Sequence, residues 1–330
     1  MNDGLVYIGK IINLSDIPRA DLIVLATVVC GVGGRWRGIV QKGVFKEEDT
    51  CVVFLPDAQL NPEIHRNMQF MKDTAWRVKM RRFKGVPSEV VIMGHHGTIR
   101  YHKDEKELPV GSDVTVRMCV TKYEKPVPAH LNGYAIGVFP SFIPKTDEPN
   151  YQRCPELVDQ LVGKPYYVTE KADGSSTTAY KWKGVFGVCS RNLEIKRDEE
   201  NGYWMIAIRY KLEENLPDGI AVQWETVGPG IQSNPMGWKK IEGLLFSAYN
   251  IHERRYLTFI ELCRLSLKLH FPMVQIYEER QAFSKDELEL RGNGLYDNHM
   301  PREGVVVRSK ENLLNGKPIS FKVINLGYEK

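Results

Sequence analysis

No apolar run in this 330-residue chain is long enough to cross a bilayer. The longest, Leu22 to Cys30, falls far short of the ~20 residues a spanning helix needs. Asp3, Lys10 and Asp16 interrupt the opening segment, so no signal-peptide core is expected. Cysteine is sparse: six residues, widely scattered, with no C-x-x-C pair and no histidine at ligand spacing. That argues against structural zinc and a disulfide framework and fits reduced thiols. The one histidine cluster, His95-His96, reads as a turn or strand-end pair, because adjacent side chains diverge. A dominant charge sign is missing too; a net charge of +4 permits an anionic partner without demanding one. Neither internal repeats nor low-complexity tracts occur. The expectation is a cytoplasmic or otherwise intracellular protein with no membrane association and no obligate protein partner.

The residues that are present divide into two textures. Up to residue 140 the chain is rich in Val, Ile and aromatics, in runs such as "LVYIGKII", "LIVLATVVC", "TCVVFLP", "WRVKMRRFKG" and "DVTVRMCVTKY". Gly, Pro and Asp separate these runs, which predicts short strands in a small β-barrel of the OB type. A stretch from 140 to 157, with its prolines and mixed charge, reads as a linker. Beyond it strands and helices mix: "RRYLTFIELCRLSLKLH" is amphipathic at helical spacing, and Ser284 with Glu287 reads as a capping box. The fold class is therefore α+β, with an OB-like barrel over 1–140 and a second domain of antiparallel sheets with helices over 141–330.

Chemistry concentrates in the second domain. "TEKADGSSTTAY" sets Lys171 beside an Asp-Gly turn, where Gly174 lets the backbone approach a ligand. A nucleophilic lysine must be neutral, so its neighbours must favour the amine. Alone, K-x-D-G is as consistent with an ordinary surface turn. Other strands add to it: Glu225 sits mid-strand in "AVQWETVG", and Glu303 opens "REGVVVRS", reading on the same face as Val305 and Val307. Phe321 and Val323 share one face of "PISFKVIN" while Ser320, Lys322 and Ile324 share the other. Leu244, Phe246 and Ala248 read as one face of "LLFSAYNI". Together they offer an amine, carboxylates for a hydrated divalent ion, a second cation for phosphate and an aromatic plate for a base.

In this order the motifs resemble the covalent nucleotidyltransferases, the polynucleotide ligases and mRNA capping enzymes. "EKADG" looks like the first motif, followed by "SRN" at 190–192, "QWETVGPGIQ", "LLFSAYNI", "REGVVVR" and "SFKVIN". With the β-rich domain ahead of the lysine and eight residues after Lys322, the chain is similar to ATP-dependent RNA ligases of the Deinococcus/Naegleria type, which pair an N-terminal OB domain with an ATP-grasp-like transferase domain. The resemblance implies joining of 3′-hydroxyl and 5′-phosphate RNA ends, at nicks or paired ends, with ATP and Mg²⁺ or Mn²⁺. It implies that Lys171 carries the nucleotide, Glu170 meets the adenine edge and Phe246 stacks on the ring. Arg191 would contact the ribose, and Glu225 the ribose or metal waters. Asp173 and Glu303 would hold metal waters. Lys322 would grip the α-phosphate and help keep Lys171 neutral.

The chain departs from the family pattern where Ser320 replaces a frequent lysine and Trp224 a frequent glycine; the second bears on the shape of the ribose site. A GTP-using capping enzyme and a non-catalytic RNA-binding protein with a relict transferase domain are the alternatives. In the barrel, Arg77, Lys79, Arg81, Arg82 and Lys84 interleave with Trp76 and Phe83. Cations for backbone and aromatics for bases suit an RNA-binding strand, with Val78 and Met80 turned into the barrel. "RWRG" at 35–38 is a weaker candidate of the same kind.

Overall fold

The computed structural model describes residues 4–31, 33–94, 108–123, 133–286 and 288–328. His95, His96 and Glu287 lie outside the described residues. The chain divides into two compact units, one of residues 1–125 with 152–155, the other of 126–151 with 156–330.

The first unit contains β1 (Val6–Asp16), β2 (Ile23–Cys30), β3 (Gly34–Gln41), β4 (Thr50–Phe54), β5 (Ala58–Gln59), β6 (Arg81–Phe83), β7 (Val86–Ser88), β8 (Val91–Gly94) and β9 (Thr121–Lys122). Its main sheet is antiparallel in the order β3-β2-β1-β4-β8. Alternation decides what is buried: β2 runs half-buried, buried, half-buried over its whole length, and Val24, Ala26, Val28 and Cys30 enter the core with Trp36 and Val53. The sheet's two edges also meet. Arg37 O on β3 accepts from the N–H groups of Glu89 and Val90, and Ile39 N donates to Ser88 Oγ. Gly38 allows this approach, since a Cβ there would lie 2.7 Å from Ile92.

Two expected strands differ. "WRVKMRRFKG" is a strand only over Arg81–Phe83, because Ala75 and Trp76 take left-handed φ of 51° and 63° after a 3₁₀ turn at Gln69–Thr74. Val78 is buried as expected, whereas Met80 is half-buried. "DVTVRMCVTKY" is mostly a helical turn: Asp113 accepts from Thr115 N, and Met118 N donates back to Val114 O. Val114 and Met118 then share one buried side, while Val116 is 89% exposed.

The second unit contains β10 (Ala135–Val138), β11 (Tyr166–Glu170), β12 (Ser175–Trp182), β13 (Val185–Cys189), β14 (Leu193–Ile195), β15 (Ile220–Val227), β16 (Glu242–Asn250), β17 (Arg255–Tyr256), β18 (Ile276–Arg280), β19 (Gly304–Ser309) and β20 (Ser320–Ile324). Helices α1 (Pro155–Leu161), α2 (Gly202–Arg209), α3 (Leu212–Asn215), α4 (Phe259–Leu269) and α5 (Leu288–Arg291) accompany them. Helix α4 begins with a capping box between Thr258 and Glu261 and buries Phe259, Leu262, Leu265 and Leu269. The strands form a seven-stranded sheet, β10-β14-β13-β12-β15-β16-β17, and a four-stranded one, β18-β11-β19-β20. Every pairing given in these two sheets is antiparallel. The architecture is mixed α and β with mostly antiparallel sheets.

Residues 140–151 are not the loose linker their prolines suggest. Phe139 and Ile143 are buried, Pro144 O accepts from Gln223 Nε2, and Pro149 O accepts from Lys322 N. The prolines hold the segment extended while its remaining groups pair along the second unit.

Candidate active site

Lys171 follows the last residue of β11, and its N–H donates to Gly304 O at the start of β19. Its Nζ lies 2.6 Å from Glu303 Oε1. The Asp-Gly turn then leads into β12, where Gly174 N donates to Glu225 Oε1 at 3.1 Å. A Cβ on Gly174 would stand 2.2 Å from Thr226 O, so only glycine lets the turn lie against β15. Two sheets thus deliver one cluster: Lys171 and Glu303 from the four-stranded sheet, Glu225 from the seven-stranded one, and Asp173 from the connection between them.

Strand alternation does not by itself bring Glu303 to the amine. Val305 and Val307 are wholly buried, while Glu303 meets Lys171. Gly304 intervenes with φ +148°, where a Cβ would fall 2.2 Å from Val323 O, so the expected shared face with the valines gives way. The grouping on β16 also changes. Trp224 pairs with Leu245 and Gln223 with Ser247, leaving Phe246 as the bulged residue. Leu244 and Phe246 pack with Val227, Val274, Met236 and Trp238, whereas Ala248 joins Leu245 in the main core. Bulges re-aim side chains beside functional sites, and this one separates Phe246 from Ala248.

The charges are tightly coupled. Burial opposes the Lys171 ammonium, but Glu303, Glu225 and Asp173 outweigh it and hold the amine above its ordinary pKa. The expectation that Lys322 keeps Lys171 neutral is therefore corrected: carboxylates govern the amine, and they favour its protonated form. Glu225 is pushed up to about 8, chiefly by burial, with Glu303 and Asp173 adding repulsion against the pull of Lys171. Glu170 is raised by burial while accepting 2.7 Å from Tyr277 OH, and Arg302 lies 4.4 Å over the Tyr277 ring.

The other expected residues are placed as follows. Thr169, Val306 and Lys322 lie in register across β11, β19 and β20, so Lys322 projects from the same face as Thr169. Phe246 is half-buried, with the Arg308 guanidinium 5.8 Å over its ring. Arg191 is 58% exposed and pairs with Asp147 at 3.3 Å. Trp224 is fully buried in the core against Phe271, its indole donating to Thr226 Oγ1, so it does not crowd Glu225. Ser320 pairs in register with Arg308, and its buried Oγ has no hydrogen-bond partner among the described residues.

Three residues at the site were not foreseen. Tyr296 OH donates to Lys171 O and accepts from Glu303 N; Tyr328 OH donates to Asp173 Oδ2. Arg308, buried and paired with Glu148 at 2.8 Å, backs Phe246. Arg308 had a signal, a cation ending an otherwise apolar strand; the tyrosines lie in loops without periodicity.

Among the described residues no three His, Cys, Asp or Glu side chains stand at direct metal-ligand spacing. Asp173, Glu225 and Glu303 nevertheless converge on one ammonium, a donor set suited to Mg²⁺ or Mn²⁺ keeping its own waters.

The RNA ligase family profile matches residues 164–324. No curated protein sequence matches the chain. Among solved structures, an apo mutant of Naegleria gruberi RNA ligase is similar at 27% identity and TM-score 0.80, covering 98% of this chain and 97% of that one. A mutant of the same ligase with ATP and Mn aligns at 27% identity and TM-score 0.80, over 97% of each chain. Another, with AMP and Mn, aligns at 28% and 0.79, over 97% of this chain and 96% of that one. With the family profile over residues 164–324 and this fold along nearly the whole length, the chain carries an RNA ligase domain around Lys171 and shares its fold with Naegleria gruberi RNA ligase.

Proposed function

We propose that the protein is an ATP-dependent RNA ligase working through a lysyl-adenylate on Lys171. The carrying observation is the Lys171 amine on Glu303, coupled to Glu225 and Asp173, inside an RNA ligase domain. Lys171 attacks the α-phosphate of ATP and releases pyrophosphate. AMP then passes to an RNA 5′-phosphate, and a 3′-hydroxyl displaces it. Phosphoryl transfer needs positioning and charge neutralisation above all. Asp173, Glu225 and Glu303 would hold a hydrated divalent cation, which would supply part of that neutralisation. Lys322 offers a cation to the α-phosphate, Phe246 a stacking face to adenine, Glu170 a polar edge and Arg191 a contact to ribose.

Phe246 distinguishes base stacking from packing. Phe246→Ala is expected to raise the half-saturating ATP concentration about tenfold to a hundredfold, from ~1–3 kcal/mol of base-aromatic contact. Phe246→Leu retains part of it. Equal ATP dependence of folded variant and wild type, with lowered thermal stability, would make Phe246 a core residue only.

We read the first unit as an OB-type barrel that grips RNA. Supporting this are the order β3-β2-β1-β4-β8 and the hydrogen bonds joining its edges, a five-stranded circuit. The β6–β7 hairpin carries Arg81, Arg82 and Lys84, with Arg81 5.8 Å over Phe83. Lys79 is exposed; Arg77 is held by Asp57 at 2.6 Å and stacked on Tyr123, which weakens its claim. All six cysteines are free thiols, which supports an intracellular setting. No helix among the described residues is long and apolar enough to cross a membrane.

The test is incubation with α-labelled ATP or GTP, then sealing of nicked RNA. Label from ATP and not GTP, with sealing, supports the reading; absence of both activities overturns it. Neutralising Arg81 and Arg82 is expected to weaken RNA binding and flatten its salt dependence by about one to two counterions. Lysyl-adenylate formation is expected to stay at the wild-type level. Unchanged RNA affinity would remove the hairpin from the RNA path.

A further inference from the structure

Buried phenols are hydrogen-bonded because a hydroxyl removed from water costs free energy unless it finds a partner. Tyr296 is 4% and Tyr328 8% exposed, and the partners of both are the main chain or carboxylates of the Lys171 cluster. Tyr296 OH stands between Lys171 O at 3.2 Å and Glu303 N at 3.1 Å, fixing the spacing of those two main chains. Tyr328 OH holds Asp173, itself 3% exposed.

Tyr328 is delivered by a turn that also touches Glu303. Asn325 N donates to Glu303 O at 3.0 Å, Gly327 N to Asn325 Oδ1 at 2.8 Å, and Tyr328 N to Asn325 O at 3.0 Å. Asn325 Nδ2 donates to Arg302 O and Gly294 O, tying the turn to the segment that carries Tyr296. One hydrogen-bonded frame thus spans Lys171, Asp173 and Glu303. Without it, the Asp173 carboxylate and the Glu303 main chain would lose the contacts that fix them beside Lys171.

We infer that Tyr296 and Tyr328 are positioning residues for adenylylation, two phenols that hold the Lys171 and Glu303 main chains and the Asp173 carboxylate in place beside the amine, where a hydrated divalent cation would bind. The inference rests on the lysyl-adenylate reading above. Neither tyrosine need touch ATP; each acts through the group it holds.

The experiment compares wild type, Tyr296→Phe, Tyr328→Phe and, as a control, Tyr166→Phe. Tyr166 donates to Glu278 at the far end of β11, so its variant also loses a buried phenol bond. Two measurements are made on the full chain: lysyl-adenylate formation at varied ATP, and thermal shift on titrating Mn²⁺ into protein held with AMP. In Tyr296→Phe and Tyr328→Phe the labelling rate at saturating ATP is expected to fall roughly tenfold or more, with half-saturating ATP little changed. Their Mn²⁺ midpoints are expected to move severalfold higher, while Tyr166→Phe titrates like wild type. Wild-type labelling rates in both variants would overturn the inference. So would slower labelling with an unmoved Mn²⁺ midpoint, since that is the signature of general destabilisation. A wild type that takes up no label would overturn the lysyl-adenylate reading, and this inference with it.

Discussion

Lys171→Ala and Lys171→Arg are both expected to take up no label from α-labelled ATP, at least on the order of a thousandfold below wild type. Alanine removes the nucleophile. Arginine keeps the positive charge beside Glu303 but stays protonated at every accessible pH and cannot attack. That contrast matters because Glu303, Glu225 and Asp173 already hold the Lys171 amine above its ordinary pKa. A variant that satisfies the ion pair would preserve the fold and still lack the chemistry. In the wild type, labelling is expected to rise with pH, since only the neutral amine reacts, and to stop when a chelator removes divalent cations. Pre-adenylylated RNA bypasses the first step, so Lys171→Ala is expected to keep measurable sealing of it. Label uptake by Lys171→Ala would show that another residue is the nucleophile.

Glu225→Gln is expected to push stability and activity in opposite directions. Glu225 is raised to about 8 by burial and by the carboxylates beside it. The folded protein therefore holds a proton that the unfolded chain, with an ordinary carboxyl near 4.5, has released. Stability falls as pH rises wherever the folded state binds more protons, so this group lowers stability progressively between about pH 4.5 and 8 and no further above that. Glutamine keeps the shape and the acceptor for Gly174 N without the charge. In metal-free buffer at pH 8 the variant is expected to melt above wild type, and the gap to close at pH 5. Lysyl-adenylate formation is expected to fall by about a hundredfold, because a neutral amide neither holds cation waters nor neutralises phosphate-bound metal. Thermal melts at both pH values alongside labelling decide it. A melting gap independent of pH would mean that the Glu225 charge is not what limits stability here.

Much of the site was legible because its chemistry is carried by rare combinations in a fixed order. Lys171 before Asp-Gly, Glu225 inside an apolar strand, and Lys322 alternating with Phe321 and Val323 each break a pattern that packing alone would keep. A two-residue period is enough to assign the faces of β20, where Phe321 and Val323 are wholly buried. The same period failed at two places. Gly304, at φ +148°, separates Glu303 from the valines, and the bulge at Phe246 sends Ala248 to another core. Neither a positive φ nor a bulge changes residue type in a way that periodicity registers.

In the first unit, alternation predicted β1 to β4 and missed what happens after residue 74. Left-handed φ at Ala75 and Trp76, neither a glycine, shorten the basic strand to Arg81–Phe83. Asp113 turns "DVTV" into a helical turn by accepting from Thr115 N. In both, a local hydrogen bond or backbone state outweighed β-propensity, which is a weak preference.

Residue type and order alone determined the chemistry available: one candidate nucleophile, carboxylates, a phosphate cation and an aromatic plate, on strands of an α+β chain. Tertiary structure decided which of these groups share an electrostatic environment. Lys171 and Glu303 meet across β11 and β19, and Glu225 joins them from a different sheet through Gly174. Its consequences include the protonated amine, the raised Glu225 and the frame of Tyr296 and Tyr328. They depend on distances of a few ångströms between residues up to 155 positions apart. Coulomb interactions and desolvation act through space, so local sequence pattern carries no record of them.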